Sequence, residues 1–146
     1  MAHEVVFKSF AKTAVSKIRN AQNQRATSIA MFLHGEVQKK ITGPRTGRRY
    51  RVPGTQVSYT ASAPGEPPAK QLGDLGRSTA WRVEPTVGGF DSIVGSDSPY
   101  ARRLEFGFKG RDSLGRVYNM APRPWLRRTF REQLEEIKRR AKGTWF

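Results

Sequence analysis

Arg45, Arg48, Arg49 and Arg51 crowd into a segment that also holds Pro44, Gly47 and Tyr50. A guanidinium is a planar fork of N–H donors that stays charged at every physiological pH. Four of them on a short segment therefore suit charge-assisted contact with phosphate or carboxylate groups. Their spacing is not that of a helix face, so the solvated-stripe reading that fits most lysines and arginines on helices does not fit here. The segment opens a longer stretch, Thr42 to Ser78, too rich in glycine and proline to be helical. A connection of that length inside a small domain is normally either functional or disordered. The alternative to a functional contact is a loop that packs on its own sheet.

Other chemistry is thin. Cysteine is absent, which removes disulfides, thiolate metal ligands and cysteine nucleophiles together. His3 and His34 are the two histidines; one lies near the start of the chain and the other within a long helical pattern. Neither has the convergent His, Asp or Glu neighbours that a metal site needs. Asp91 and Asp97 flank a strand end, where aspartates mostly serve turns. The GPRTGRR run lacks the G-x-x-x-x-G-K-[ST] spacing of a phosphate loop. No Ser, His and Asp order suggests a hydrolase. The expectation is a protein that is not an enzyme and uses no metal or cofactor.

The 146 residues suit one domain, residues 1–146, large enough to bury roughly 70% of its unfolded surface without staples. Lysine and arginine number 27 against 12 acids, a net charge of +15. A field of that sign favours phosphate, acidic protein surfaces or anionic membranes. The excess sits in the Arg45–Arg51 segment and towards both ends, while residues 59–100 are mildly acidic. No stretch approaches membrane-spanning length and MAHEVVFKSF has no signal-peptide core, so a soluble cytoplasmic product is expected.

The elements that must carry these residues follow from periodicity. Glu4 to Ile41 reads as a helix with Phe7, Phe10, Ala14, Ile18, Ala21, Ile29, Phe32, Val37 and Ile41 as its apolar stripe. A bend or break is expected at the polar Asn20–Arg25, and Gly43-Pro44 ends the helix. An extended arm then runs over 42–77, with Pro64, Pro67 and Pro68 holding the backbone extended and Gly65 allowing a turn. Ser78–Glu84 and Phe90–Val94 form a hairpin about Thr86–Gly89. Ser98 caps a short helix carrying Tyr100 and Leu104, and Gly107 stops it after Phe106. A second hairpin spans Phe108–Met120 with its turn at Asp112–Gly115. Pro122 and Pro124 lead into a last helix, 121–142, with Leu126, Phe130, Leu134, Ile137 and Ala141 inward and Trp125 and Leu126 as anchors. Tyr100, Leu104 and Phe106 are expected in the core, with Glu105 exposed or paired to an arginine. The fold class is α+β: a small, mostly antiparallel sheet packed by the two terminal helices.

Four segments, in order, resemble one family. They are TGPRTGRRYR (Thr42–Arg51), SAPGEPPAKQLGDLGRS (Ser62–Ser78), VGSDSPYARRLEFGF (Val94–Phe108) and APRPWLRRTF (Ala121–Phe130). Together with the basic helices on either side they are similar to the tail-completion or neck proteins of long-tailed bacteriophages, a class of minor tail component. The resemblance implies a structural virion protein without catalysis, acting in head–tail joining. It implies partners among neck and tail proteins of the head-closure and tail-terminator type, a homo-oligomeric ring taken as a hexamer, and contact with packaged DNA. In that setting Arg45, Arg48, Arg49, Arg51 and Tyr50 become assembly or DNA-facing contacts, and Trp145 and Phe146 a C-terminal contact with a neighbour. The competing reading is a sequence-nonspecific nucleic-acid-binding protein, with the charge for affinity and Tyr50 and Trp81 as stacking groups.

Overall fold

Ala26, Ala30, Leu33, Val37 and Ile41 return every three or four residues and form one buried stripe on helix α1, Ala11–Thr42. Of the expected stripe only Val37 and Ile41 belong to it, while Ala14 and Ile18 are exposed and Ala21, Ile29 and Phe32 half-buried beside it. The computed structural model describes residues 10–143, so Phe7, His3, Trp145 and Phe146 lie outside the described residues. Helix α1 passes through Asn20–Arg25 without the expected break. That run contains no glycine or proline, and its glutamines, alanine and arginine are good helix formers.

The first turns of α1 are exposed: Phe10, Val15 and Ile18 face solvent instead of a core. Lengths explain this. At about 1.5 Å per residue α1 is about 48 Å long, whereas the hairpin packed along it has seven-residue strands of only about 24 Å. That hairpin pairs β3 (Thr79–Pro85) with β4 (Phe90–Ser96), antiparallel from Thr79↔Ser96 to Pro85↔Phe90. It is pinned to α1 by Ser92 Oγ donating to Ala26 O at 2.7 Å and by Arg19 lying over the Phe90 ring at 5.9 Å. The turn at Thr86–Gly89 closes it, with Thr86 N–H donating to Gly89 O.

Two further hairpins complete the β structure. Strands β1 (Arg49–Arg51) and β2 (Ser58–Thr60) pair antiparallel, as do β5 (Phe108–Arg111) and β6 (Val117–Met120). Among the described residues the strands thus form three separate two-stranded ribbons instead of one sheet. The fold is α+β, and it is the β3–β4 ribbon that packs along a helix, α1. The stretch 42–77 is correspondingly not a bare arm: it holds the β1–β2 hairpin, the Gly65 turn (φ +80°) and the short helix α2, Asp74–Arg77.

Between the second and third ribbons lies helix α3, Ala101–Phe106. The Ser98 hydroxyl does not cap it; the Ser98 carbonyl accepts the Ala101 N–H, and the hydroxyl is buried without a partner. Six residues supply one inward face, taken by Ala101, Leu104 and Glu105. Tyr100 and Phe106 are exposed as a result, contrary to the core expectation, and Phe106 is covered by the Arg127 guanidinium 4.6 Å above its ring. Gly107 ends the helix at φ +77°, where an added Cβ would stand 2.7 Å from Met120 O. The last helix divides at Gln133 into α4 (Leu126–Glu132) and α5 (Leu134–Lys142). Its inward residues are Trp125 and Thr129, with Leu126, Leu134 and Ile137 half-buried; Phe130 and Ala141, expected inside, are exposed. The core joins Val37, Ile41, Leu75, Ala101 and Trp125.

Glu105 holds this core closed. It is 5% exposed, and its carboxylate accepts the Trp125, Leu126 and Arg127 amides at 2.9, 3.0 and 3.0 Å, with Arg127 Nε at 3.3 Å. A carboxylate from α3 thus satisfies the free amides that open α4, which has no cap of its own. Burial alone would raise its pKa, but these hydrogen bonds outweigh burial and hold it below the ordinary value. Replacing it by alanine would leave three donors without a partner. Glu105→Ala is expected to cost about 2–4 kcal/mol in denaturant unfolding. Because the folded-state pKa is depressed, this contribution is present above the unfolded carboxylate value and is lost as pH falls through the lowered one. Urea midpoints measured downward from about pH 6 should therefore fall more steeply in wild type than in Glu105→Gln.

Candidate functional site

Strand alternation sends successive side chains of the β1–β2 ribbon to opposite faces. Tyr50 pairs with Tyr59 across the ribbon, their rings 6.1 Å apart, and Arg48 lies 5.7 Å from the Tyr50 ring on the same face. Arg49 and Arg51 point the other way, where Arg49 Nη2 donates to Ser58 Oγ at 2.7 Å and Arg51 donates to Gln56. The ribbon is drawn against its return strand at Gly47, whose N–H donates to Ala61 O at 3.1 Å. A Cβ on Gly47 would stand 2.5 Å from that oxygen, so only glycine permits the approach.

The Tyr50–Tyr59 face forms one wall of a groove of about 580 Å³. The loop from Pro68 to Gly76 forms the opposite wall and brings Lys70 and the exposed Leu72; Tyr100, Leu104 and Arg123 also line it, over the buried Ile41 and Leu75. Arg48, Lys70 and Arg123 have no ion-pair partner among the described residues, and Asp74, the acid of this groove, is held by Arg77. Ser62 is 7% exposed, and its hydroxyl, buried and without a partner, stands where this groove meets a second of about 490 Å³. The two grooves share Ser62 and Arg123, and the second runs on past β6.

What holds the walls is largely Arg45. Its Nη2 donates to Lys40 O at 2.7 Å, Ile41 O at 3.2 Å and Pro68 O at 2.9 Å. Its Nη1 donates to Gly43 O and Pro44 O, both at 2.8 Å. The guanidinium therefore takes up carbonyls at the C-terminus of α1, where a cation also suits the helix dipole, and ties them to the opposite wall. Burial lowers its pKa, an effect partly offset by Glu66. Glu66 in turn accepts Thr46 Oγ1 at 2.7 Å and Ala63 N–H at 2.8 Å, so its carboxylate is held below the ordinary pKa by the Thr46 hydroxyl first and the Ala63 amide next.

The five residues singled out between positions 45 and 51 thus divide three ways. Arg45 is a structural clamp, Arg48 and Tyr50 line the groove, and Arg49 and Arg51 cover the outer face of the ribbon. Sequence reasoning did not single out Tyr59, Lys70 or Arg123, and it placed Tyr100 in the core. The signal for Tyr59 was present: RYRVPGTQVSYT has a tyrosine on each side of a Pro-Gly turn, as cross-strand partners would be. His34 serves structure, its Nε2 lying 3.1 Å from Thr79 O. The basic residues of α5 are largely self-compensated, with Glu136 bound by Arg139 and Arg140 and its pKa held at about 2.

Comparison of the chain with protein-family models, with curated proteins and with solved structures finds no match.

The division of the arginines has a direct check. Arg45→Ala is expected to lower stability by about 1.5–3 kcal/mol, because several carbonyls lose a charged donor at once. The triple variant Arg48→Ser, Arg49→Ser, Arg51→Ser removes three exposed charges and should stay within about 1 kcal/mol of wild type. Chemical denaturation of the two variants side by side reads the difference.

Proposed function

We propose that this protein is a structural component of the virion of a long-tailed bacteriophage, completing the tail at the neck where head and tail join. The observation that carries the reading is convergence: the four segments whose motifs resemble that family all line one groove. Thr42–Arg51 supplies Arg48 and Tyr50, Ser62–Ser78 supplies Ser62 and Lys70, Val94–Phe108 supplies Tyr100, and Ala121–Phe130 supplies Arg123. Their supports also run between these segments, Arg45 to Pro68 and Glu105 to the amides that open α4. A motif set scattered over unrelated surfaces would have no such reason to recur together.

In this reading the protein assembles as a closed ring, six-membered by analogy with tail symmetry, between proteins of the head-closure and tail-terminator type. The net charge of +15 suits a ring whose lumen meets packaged DNA or whose faces meet acidic partners. The exposed Val15 and Ile18 on the overhanging turns of α1 suit burial against a neighbouring subunit. Synthesis is in the host cytoplasm and the working location is the virion. Among the described residues no helix is long and apolar enough to cross a membrane.

Nonspecific nucleic-acid binding draws on the same unpaired cations and on Tyr50, Tyr59 and Tyr100 as stacking groups, but it gives the aliphatic Leu72 and Leu104 beside them nothing to do. Deleting the gene from its phage or prophage is expected to leave filled heads and finished tails that fail to join, counted by electron microscopy and rescued by the protein supplied in trans. Normal, infectious particles after deletion would refute the virion reading. Tight binding of duplex DNA with a steep salt dependence, by a protein absent from purified virions, would support the alternative.

A further inference from the structure

We infer that the Tyr50–Tyr59–Tyr100 groove docks an extended acidic segment of a partner protein, one with apolar or aromatic side chains between its carboxylates. Four observations give the occupant its chemistry. First, Arg48, Lys70 and Arg123 line the groove without ion-pair partners, while Asp74 is already bound to Arg77, so the site holds uncompensated positive charge. A ligand carboxylate would meet donors that have nothing to give up. Second, the exposed Leu72 and the half-buried Leu104 line it with aliphatic surface, which rewards apolar side chains and gives phosphates nothing. Third, Lys70 and Leu72 lie exposed on the same loop, a cation beside an aliphatic side chain, which suits a ligand that alternates the two characters.

The fourth observation concerns shape. The two grooves, about 580 and about 490 Å³, share Ser62 and Arg123 and so adjoin, one beside the β1–β2 ribbon and the other beside β6. A compact ligand would fill one of them, whereas an extended chain can follow both. Tyr50, Tyr59 and Tyr100 add amphipathic rings whose hydroxyls make no hydrogen bond within the described chain, the type of residue that anchors protein interfaces. Tyr50 and Tyr59 already face one another at 6.1 Å with Arg48 beside Tyr50, which leaves no slot for a base to insert. The choice of a protein as occupant rests on the reading of this chain as an assembly protein; the acidic and apolar character of the occupant rests on the groove itself.

The test uses the full chain and three labelled probes in fluorescence anisotropy at about 150 mM salt. One is an octapeptide alternating glutamate with phenylalanine and leucine, the second its glutamine analogue, and the third a single-stranded oligothymidylate. The acidic peptide is expected to bind about tenfold or more tightly than the analogue. Arg48→Ser with Arg123→Ser should weaken it about tenfold, and Tyr100→Ala, which leaves the charge intact, about fivefold. Lys12→Ser with Lys17→Ser, an equal loss of charge on α1, should change it less than about twofold. Thermal melts check that each variant is folded, and Lys70→Ser, on the exposed loop, replaces any that is not. Failure of the acidic peptide to bind, equal binding of the analogue, or an equal loss in the α1 control would overturn the inference. So would an oligothymidylate that binds more tightly than the peptide and is lost with Arg48 and Arg123. The outcomes separate from those of the gene deletion: peptide binding in a chain dispensable for joining refutes the virion reading alone, and a chain needed for joining that takes no peptide refutes the groove inference alone.

Discussion

A carboxylate buried to the extent of Glu105 must find donors for its oxygens or give up its charge, because the interior solvates it poorly. It finds three amides and a guanidinium at the point where the chain turns into α4. That interaction makes α3 and α4 one unit. Trp125, 1% exposed, follows from it, since the amide that Glu105 accepts is that of the tryptophan which fills the core against Val37 and Ile41. Arg123 N–H donates to Leu104 O at 2.7 Å just before, so the proline-bounded approach to α4 is fixed at both sides of Pro124.

The C-terminus of α1, packed on the same core, uses the complementary sign. Arg45 places a cation on the carbonyls that close α1, as Glu105 places an anion on the amides that open α4, and both arrangements match the helix dipole. Each charged group belongs to another element than most of its partners, so each also joins parts of the chain. The economy matters in a domain with few buried side chains. The three ribbons cannot share a sheet core, and the long first helix offers only its middle and end for packing. Charged clamps on backbone groups close what apolar area alone would leave loose.

Once those clamps are made, the remaining charge is unevenly spent. Many of the acids pair with a lysine or arginine nearby, as Glu136 does on α5 and Asp112 does with Arg116 in the last hairpin turn. The surplus cations therefore stand out where no uncommitted acid is close, and the groove, whose Asp74 is already bound to Arg77, is one such place. Its positive character comes from what surrounds Arg48, Lys70 and Arg123, not from their number. A count of charges along the chain marks the Arg45–Arg51 segment as the basic feature. In the folded protein one of its four arginines is consumed by structure and two lie on the far face of a ribbon.

Local pattern alone determined much of this protein. The long helix from its apolar repeat, the β3–β4 and β5–β6 hairpins from their turn residues, the stop at Gly107 and the α+β class are all properties of short windows, in which backbone preference and periodicity act directly. Tertiary structure decided which residues are inside and which meet. Phe10, Ile18, Tyr100, Phe106 and Phe130 have core chemistry, but a 48 Å helix beside a shorter hairpin, and a six-residue helix with one inward face, leave them outside. Glu105 could be read as a partner for an arginine, and it is one; that it caps a helix beginning some twenty residues later depends on chain closure that no local window contains. The groove is the extreme case. Tyr50, Ser62, Tyr100 and Arg123 come from four separate segments, and only the packing of ribbon, loop and helices onto one core brings them together.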